Sequence, residues 1–188
     1  MIRVAIVDDH EAVRAGLHNL LRSEPGIVPV GAASSEADLW PMLKRTRPDV
    51  VIVDFQMPGR HGLLLCHRIK SGPKPPRVMV YSAFADEALA LPAILAGADA
   101  VVNKGATASE LFECLREVSR DRRPLPAVTP SQMQVASTLL SDEDLPVVGM
   151  LLERTPPDEV AAVLGLEPDE LDLRIERIVG RLVTVGGS

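Results

Sequence analysis

Short apolar runs alternate with helical patterns through the first 120 residues. The runs are Ile2 to Val7, Ile27 to Ala33, Val50 to Val53, Val78 to Tyr81 and Ala100 to Val102. Between them apolar residues recur at three- and four-residue spacing, as in Val13, Leu17, Leu20 and Leu21, or Leu111, Leu115 and Val118. This pattern predicts five strands alternating with five helices. Strands of Val and Ile without polar alternation are buried on both faces, as in a parallel sheet covered by helices. The predicted fold is therefore α/β, a doubly wound five-stranded parallel sheet, whose functional residues gather at the carboxyl ends of the strands.

The pattern changes at RDRRPLPAVTP, from Arg120 to Pro130, where basic residues and prolines break helix. We read 1–120 as a first domain, 121–130 as a linker and 131–188 as a second, small all-α domain. Its helices are expected near 131–140, 142–153, 157–164 and 168–182, with turns at Thr155-Pro156-Pro157 and from Gly165 to Pro168.

Composition narrows the classes. Of 188 residues, 46% are hydrophobic and 24% charged, which suits a folded chain rather than a disordered one. No apolar run approaches the roughly 18–20 residues of a membrane span, and the start MIRVAIVDDH puts acids where a signal peptide would stay apolar. We expect a cytoplasmic protein with no membrane partner. Cys66 and Cys114 are too few for a disulfide framework and read as small buried hydrophobes. Aromatics at 3% leave little for base stacking on single-stranded RNA. Charge is distributed unevenly: residues 1–140 hold 15 acids and 16 bases, the remainder 11 acids and 4 bases. An acidic segment of that kind repels phosphate backbones.

The candidate chemistry lies at the strand ends. Asp8 and Asp9 follow the first strand and Asp54 the third, and these strands are neighbours in a doubly wound sheet, so the three carboxylates converge. A lone Asp after a strand is commonly a helix N-cap, but a convergent cluster needs a cation, and oxygen ligands in a small open site suit Mg²⁺. Ser82 after the fourth strand can hydrogen-bond an oxyanion, and Lys104 after the fifth can pair with a carboxylate or a phosphoryl group. Together they make a phosphoryl-transfer site with a carboxylate nucleophile. His10 reads as a solvated loop imidazole, and His18, His61 and His67 as surface residues without metal-ligand spacing.

Over roughly residues 1–120 the stretches AIVDDHEAVRAGL, PDVVIVDFQMPGRHGL, VMVYSAF and AGADAVVNKGA resemble, in order and spacing, the receiver domain of two-component response regulators. The resemblance implies that Asp54 is the phosphoacceptor for a sensor histidine kinase. It implies further that Asp9, Asp54 and the Gln56 backbone carbonyl bind Mg²⁺, with Asp8 acting through water, and that Ser82 and Lys104 hold the acyl phosphate oxygens. Where such receivers usually carry an aromatic three residues before the lysine, this chain has Val101, and Phe84 is the nearest aromatic in sequence after Ser82. A phosphatase with Asp54 as nucleophile lacks its second acid, since Gln56 stands two residues on, so we expect no enzyme of that kind.

Residues 140–182 resemble a diverged LuxR-type helix-turn-helix, carried by Val147, Leu151, Val160, Ala161, Leu164, Gly165, Leu171, Ile175, Ile178 and Leu182. These are core and turn positions, which speak for fold more than for function. In such a motif the helix at about 168–182 would enter the major groove, offering Arg174, Arg177 and Arg181 to DNA. The same helix carries Asp169, Glu170, Asp172 and Glu176, which argue against tight binding. After Leu182 only VTVGGS remains, so we expect the family's further dimerising helix to be missing here and the helix near 131–140 to take its place in a homodimer. Two readings follow: a response regulator that controls transcription through an output domain of weak or partner-assisted DNA affinity, or a phospho-switched module whose acidic helices bind a protein partner and no DNA.

Overall fold

Parallel pairing of the Val- and Ile-rich runs builds one sheet. The computed structural model describes residues 1–59, 61–83 and 87–186. Strands β1 (Ile2–Val7), β2 (Ile27–Ala33), β3 (Val50–Asp54), β4 (Arg77–Ser82) and β5 (Ala100–Asn103) lie in the order β2-β1-β3-β4-β5. Every pairing is parallel. Three strands run further than the apolar runs alone suggest, because pairing continues to Asp54 opposite Tyr81 and to Ser82 opposite Asn103. The polar residues at the strand ends are thereby held by sheet hydrogen bonding rather than by loop.

Helices α1 (Glu11–Ser23), α2 (Glu36–Thr46), α3 (Gly62–Lys70), α4 (Ala90–Leu95) and α5 (Ala108–Ser119) connect and follow the strands. The fourth is shorter than its sequence pattern implies: a 3₁₀ turn at Glu87–Leu89 precedes only six α-helical residues. Its candidate neighbour Phe84 lies outside the described residues. Local chemistry sets several helix starts. Ser35 accepts from the Asp38 N–H at the head of α2, and Thr107 with Glu110 forms a reciprocal cap on α5.

Strand alternation sends side chains to two faces. Val4, Ile6, Val50, Ile52 and Met79 pack with Leu17, Leu21, Leu111 and Leu115 under α1 and α5. Val7, Val51, Val53 and Val80 pack with Leu39, Leu63, Cys66 and Leu91 under α2, α3 and α4. Fully buried side chains such as Ile6, Leu21 and Ile52 each contribute about 1.5–3 kcal/mol.

Four more helices follow: α6 (Pro130–Leu139), α7 (Asp144–Leu152), α8 (Pro157–Leu164) and α9 (Pro168–Gly186). Their core of Val147, Val148, Val160, Leu171, Ile175, Ile178 and Leu182 is continuous with the α2–α4 side of the sheet. The segment between α5 and α6 carries no helix or strand. It is tied to the first domain by Asp121, which pairs with Arg77, and by Arg123, whose Nε lies 3.2 Å from Asp99 Oδ1. Asp99 is fully buried and also accepts from Lys70 Nζ at 2.9 Å and from the Val78 N–H at 2.8 Å.

This continuity overturns one expectation. His67, read from the sequence as a surface residue, is only 5% exposed. It sits on a second buried face of α3, which exists only because α9 packs there. His61 is half-buried rather than exposed. Cys66 is buried as expected, while Cys114 is only partly so.

Candidate functional site

The pairing of β1 with β3 brings Asp8 and Asp54 together, and both are 1% exposed. Two buried carboxylates side by side are unfavourable without a counter-charge. Lys104, just beyond β5, supplies one: its Nζ is 2.9 Å from Asp54 Oδ1 and 3.2 Å from Asp8 Oδ2. The backbone N–H of Gln56 donates to Asp54 Oδ1 at 3.2 Å, and that of His10 to Asp8 Oδ1 at 2.8 Å. Burial pushes the Asp54 carboxyl above the usual range, and the Lys104 ammonium draws it part of the way back. Burial depresses the Lys104 ammonium, but Asp54 and Asp8 together outweigh it, so Lys104 stays protonated above its ordinary value.

Asp9 stands at the rim. Ligand atoms of Asp8, Asp9, His10 and Asp54 all lie within 4.8 Å of one another. Asp54 Oδ2 and Asp9 Oδ1 are buried oxygens without a hydrogen-bond partner. Asp9 Oδ1 does have an imidazole nearby, His10 Nδ1 at 2.9 Å, on a side chain that is 63% exposed. Carboxylates this close together, two of them with an unsatisfied buried oxygen, suit a hard divalent cation. Ser82 ends β4 and is buried beside these groups' strand ends, its carbonyl accepting from the Lys104 N–H at 2.8 Å. Gln56 is exposed.

One residue that site patterns did not flag is Gly62, at the start of α3. A Cβ there would lie 2.0 Å from the Asp54 carbonyl oxygen, and its N–H donates to the Phe55 carbonyl at 2.6 Å. Only glycine lets α3 sit this close to the end of β3. A glycine opening a helix looks unremarkable in sequence, because the constraint comes from another strand. Tyr81 is another: its ring lies against Lys104, with Nζ 5.8 Å from the ring centroid.

In the C-terminal helices the expected DNA-facing residues divide. Arg174 is only 15% exposed and turns towards α7, where its Nη1 donates to the Glu143 carbonyl at 3.3 Å. Arg181 Nη1 lies 3.3 Å from Asp144 Oδ2. Arg177 remains exposed. Asp172, counted among the acids that would meet phosphate, instead accepts from Ser71 Oγ at 3.1 Å and lies 3.2 Å from His67 Nε2. Further along α9, Val183 lines a cavity of about 590 Å³ with Asp9, Phe55, Met57 and Leu64, at the rim of the acidic cluster. The helix expected to read DNA thus lies along α3, from His67 to the loop after Asp54. No helix among the described residues is long and apolar enough to cross a membrane.

Similarity to known proteins agrees with this geometry. The family described as Response regulator receiver domain matches residues 4–116. The DNA-binding transcriptional activator DevR/DosR of Mycobacterium tuberculosis is 29% identical over 97% of this chain and 88% of its own length. Among solved structures, a LuxR-family two-component response regulator from Aurantimonas is 29% identical, with a TM-score of 0.62 over 71% of this chain and 94% of that one. The response regulator ChrA of a heme-sensing two-component system is 30% identical, with a TM-score of 0.57 over 96% of this chain and 89% of its own.

Proposed function

This chain belongs to the response regulator receiver family, and from that premise we propose that Asp54 accepts a phosphoryl group from a sensor histidine kinase and that the modification governs the C-terminal helices. The observation that carries the reading is the buried Asp8–Lys104–Asp54 arrangement, in which Lys104 bridges two carboxylates and one Asp54 oxygen has no hydrogen-bond partner. In the proposed step an Asp54 oxygen attacks phosphorus, a phosphorus–oxygen bond forms, and the phosphorus–nitrogen bond to the kinase imidazole breaks. Lys104 and Ser82 receive the new oxygens. Asp8, Asp9, Asp54 and the Gln56 carbonyl would hold Mg²⁺, which when bound neutralises the carboxylates and polarises the phosphoryl oxygens. The new group adds about -1.5 to -2 charge to a pocket already balanced around one ammonium, which gives Lys104 reason to re-aim.

Transcription control through α6–α9, in the bacterial cytoplasm and as a homodimer, is the output we assign, with direct DNA affinity weak or assisted by a partner. Intact-mass measurement after incubation with acetyl phosphate and Mg²⁺ tests the first step: one phosphoryl adduct is expected, and Asp54→Asn should lack it. An adduct at equal yield in the variant would overturn the assignment.

A second reading, a phospho-switched protein-interaction module without DNA contact, draws support from Arg174 and Arg181 being engaged by Glu143 and Asp144 at the start of α7 and Asp172 by α3. Mobility shifts with promoter fragments at low and moderate salt separate the two. The transcriptional reading requires a retarded complex in the phosphorylated protein, and the interaction reading requires none.

A further inference from the structure

Tyr81 is the single tyrosine of the chain. Strand alternation places it on the α1/α5 face of β4, opposite in direction to Val80 and Ser82, and in register with Asp54 on β3. Its contacts converge on one residue. The Tyr81 hydroxyl donates to the Lys104 carbonyl at 3.3 Å, and the Lys104 ammonium lies 5.8 Å from the centre of the Tyr81 ring. The backbone joins in on the other side, since the Tyr81 carbonyl accepts from the Phe55 N–H, immediately after Asp54, at 2.9 Å. Tyr81 therefore touches the lysine at its main chain and at its charge, and touches the chain that carries Asp54.

A lysine side chain has a flexible four-carbon stem and a compact charge, so its aim is set by what surrounds it. The carboxylates of Asp8 and Asp54 attract the ammonium from one side. The electron-rich face of an aromatic ring at about this distance attracts it from another. We propose that Tyr81 is a positioning residue for Lys104: it fixes where the ammonium stands before phosphorylation and how far it swings when Asp54 gains the phosphoryl group. The inference rests on the reading of Asp54 as phosphoacceptor. It goes beyond that reading in assigning a role to a residue outside the acidic cluster. Val101 on β5 pairs with Val80 and faces the opposite side of the sheet, so the ring acts from the α1/α5 side and does not fill the place of an aromatic at 101.

Two measurements on the full chain test this. The first is the lifetime of the acyl phosphate and its rate of formation from acetyl phosphate in Tyr81→Phe, Tyr81→Leu, Lys104→Met and the double variant Tyr81→Leu with Lys104→Met. Losing the ring should change these rates roughly two- to fivefold, the size of an exposed cation–π contact, while Tyr81→Phe, which keeps the ring, retains most of the wild-type behaviour. If Tyr81 acts through Lys104, the double variant is no worse than Lys104→Met alone. The second is the ring carbon resonance of the lone tyrosine, read by NMR without any need for phosphorylation. It should move in Lys104→Met, and beryllofluoride should shift it in the wild type but not in Lys104→Met. Effects of Tyr81→Leu and Lys104→Met that multiply, or a ring resonance indifferent to Lys104→Met, would overturn the proposal. An adduct surviving in Asp54→Asn would instead remove the phosphoacceptor reading, and the resting-state resonance would still report the Tyr81–Lys104 contact.

Discussion

Asp172 Oδ1 on α9 lies 3.2 Å from Nε2 of His67 on α3. An acid on a helix expected to face phosphate has a poor rationale there, and a good one here, where it meets an imidazole and the Ser71 hydroxyl. Burial depresses the His67 imidazole below its ordinary value, and Asp172 and Glu176 recover only part of the difference. A base whose folded pKa is depressed binds fewer protons folded than unfolded, so its environment costs stability as pH falls through about 6.5. Thermal melting between about pH 8 and pH 5.5 should show the wild type losing stability faster than His67→Gln. Parallel profiles would show that His67 does not titrate in this contact.

Gly62→Ala should be costly out of proportion to one methyl group. The added carbon would meet the Asp54 carbonyl oxygen at 2.0 Å, and backbone cannot rotate away as a side chain can. A loss of about 1–3 kcal/mol or more is expected in urea unfolding, with impaired adduct formation because the end of β3 shifts. Unchanged stability and adduct yield would contradict the close approach.

Much of this was legible in the chain. Val50 to Val53 and Val78 to Tyr81 announce buried parallel strands because every residue is apolar, and the strand ends then locate Asp8, Asp54, Ser82 and Lys104. His67 and Asp172 were not legible. Periodicity in α3 reports the face buried against its own sheet, through Leu63, Cys66 and Ile69, and carries no sign of a second face covered by a helix about a hundred residues away. The pairing of Arg174 with Glu143 and of Arg181 with Asp144 was not legible for the same reason, since it depends on how α7 meets α9.

Asp54→Asn should stabilise the protein near neutral pH. Burial raises the Asp54 carboxyl, so its ionised form is disfavoured in the folded state, and the contribution present at low pH is lost as pH rises through the folded value. The gain should therefore shrink as pH falls towards the carboxylate range. Melting curves of the two proteins across that range check the sign, and a variant less stable at neutral pH would contradict it.

Mg²⁺ should raise the melting temperature of the wild type, by about 1.4 kcal/mol of added stability at tenfold excess over its dissociation constant. Asp9→Asn should lose most of this effect, because Asp9 Oδ1 is one of two buried carboxylate oxygens in the cluster without a hydrogen-bond partner. An equal Mg²⁺ response in the variant would place the ion elsewhere.

The central claim is that Asp54, and no other acid of the cluster, takes the phosphoryl group. Borohydride reduces an aspartyl phosphate to homoserine, so peptide mapping after phosphorylation of the unmutated full chain reads the position directly. Homoserine at Asp54 is the predicted result; homoserine at Asp8 or Asp9, or phosphate retained on His10, would contradict the account.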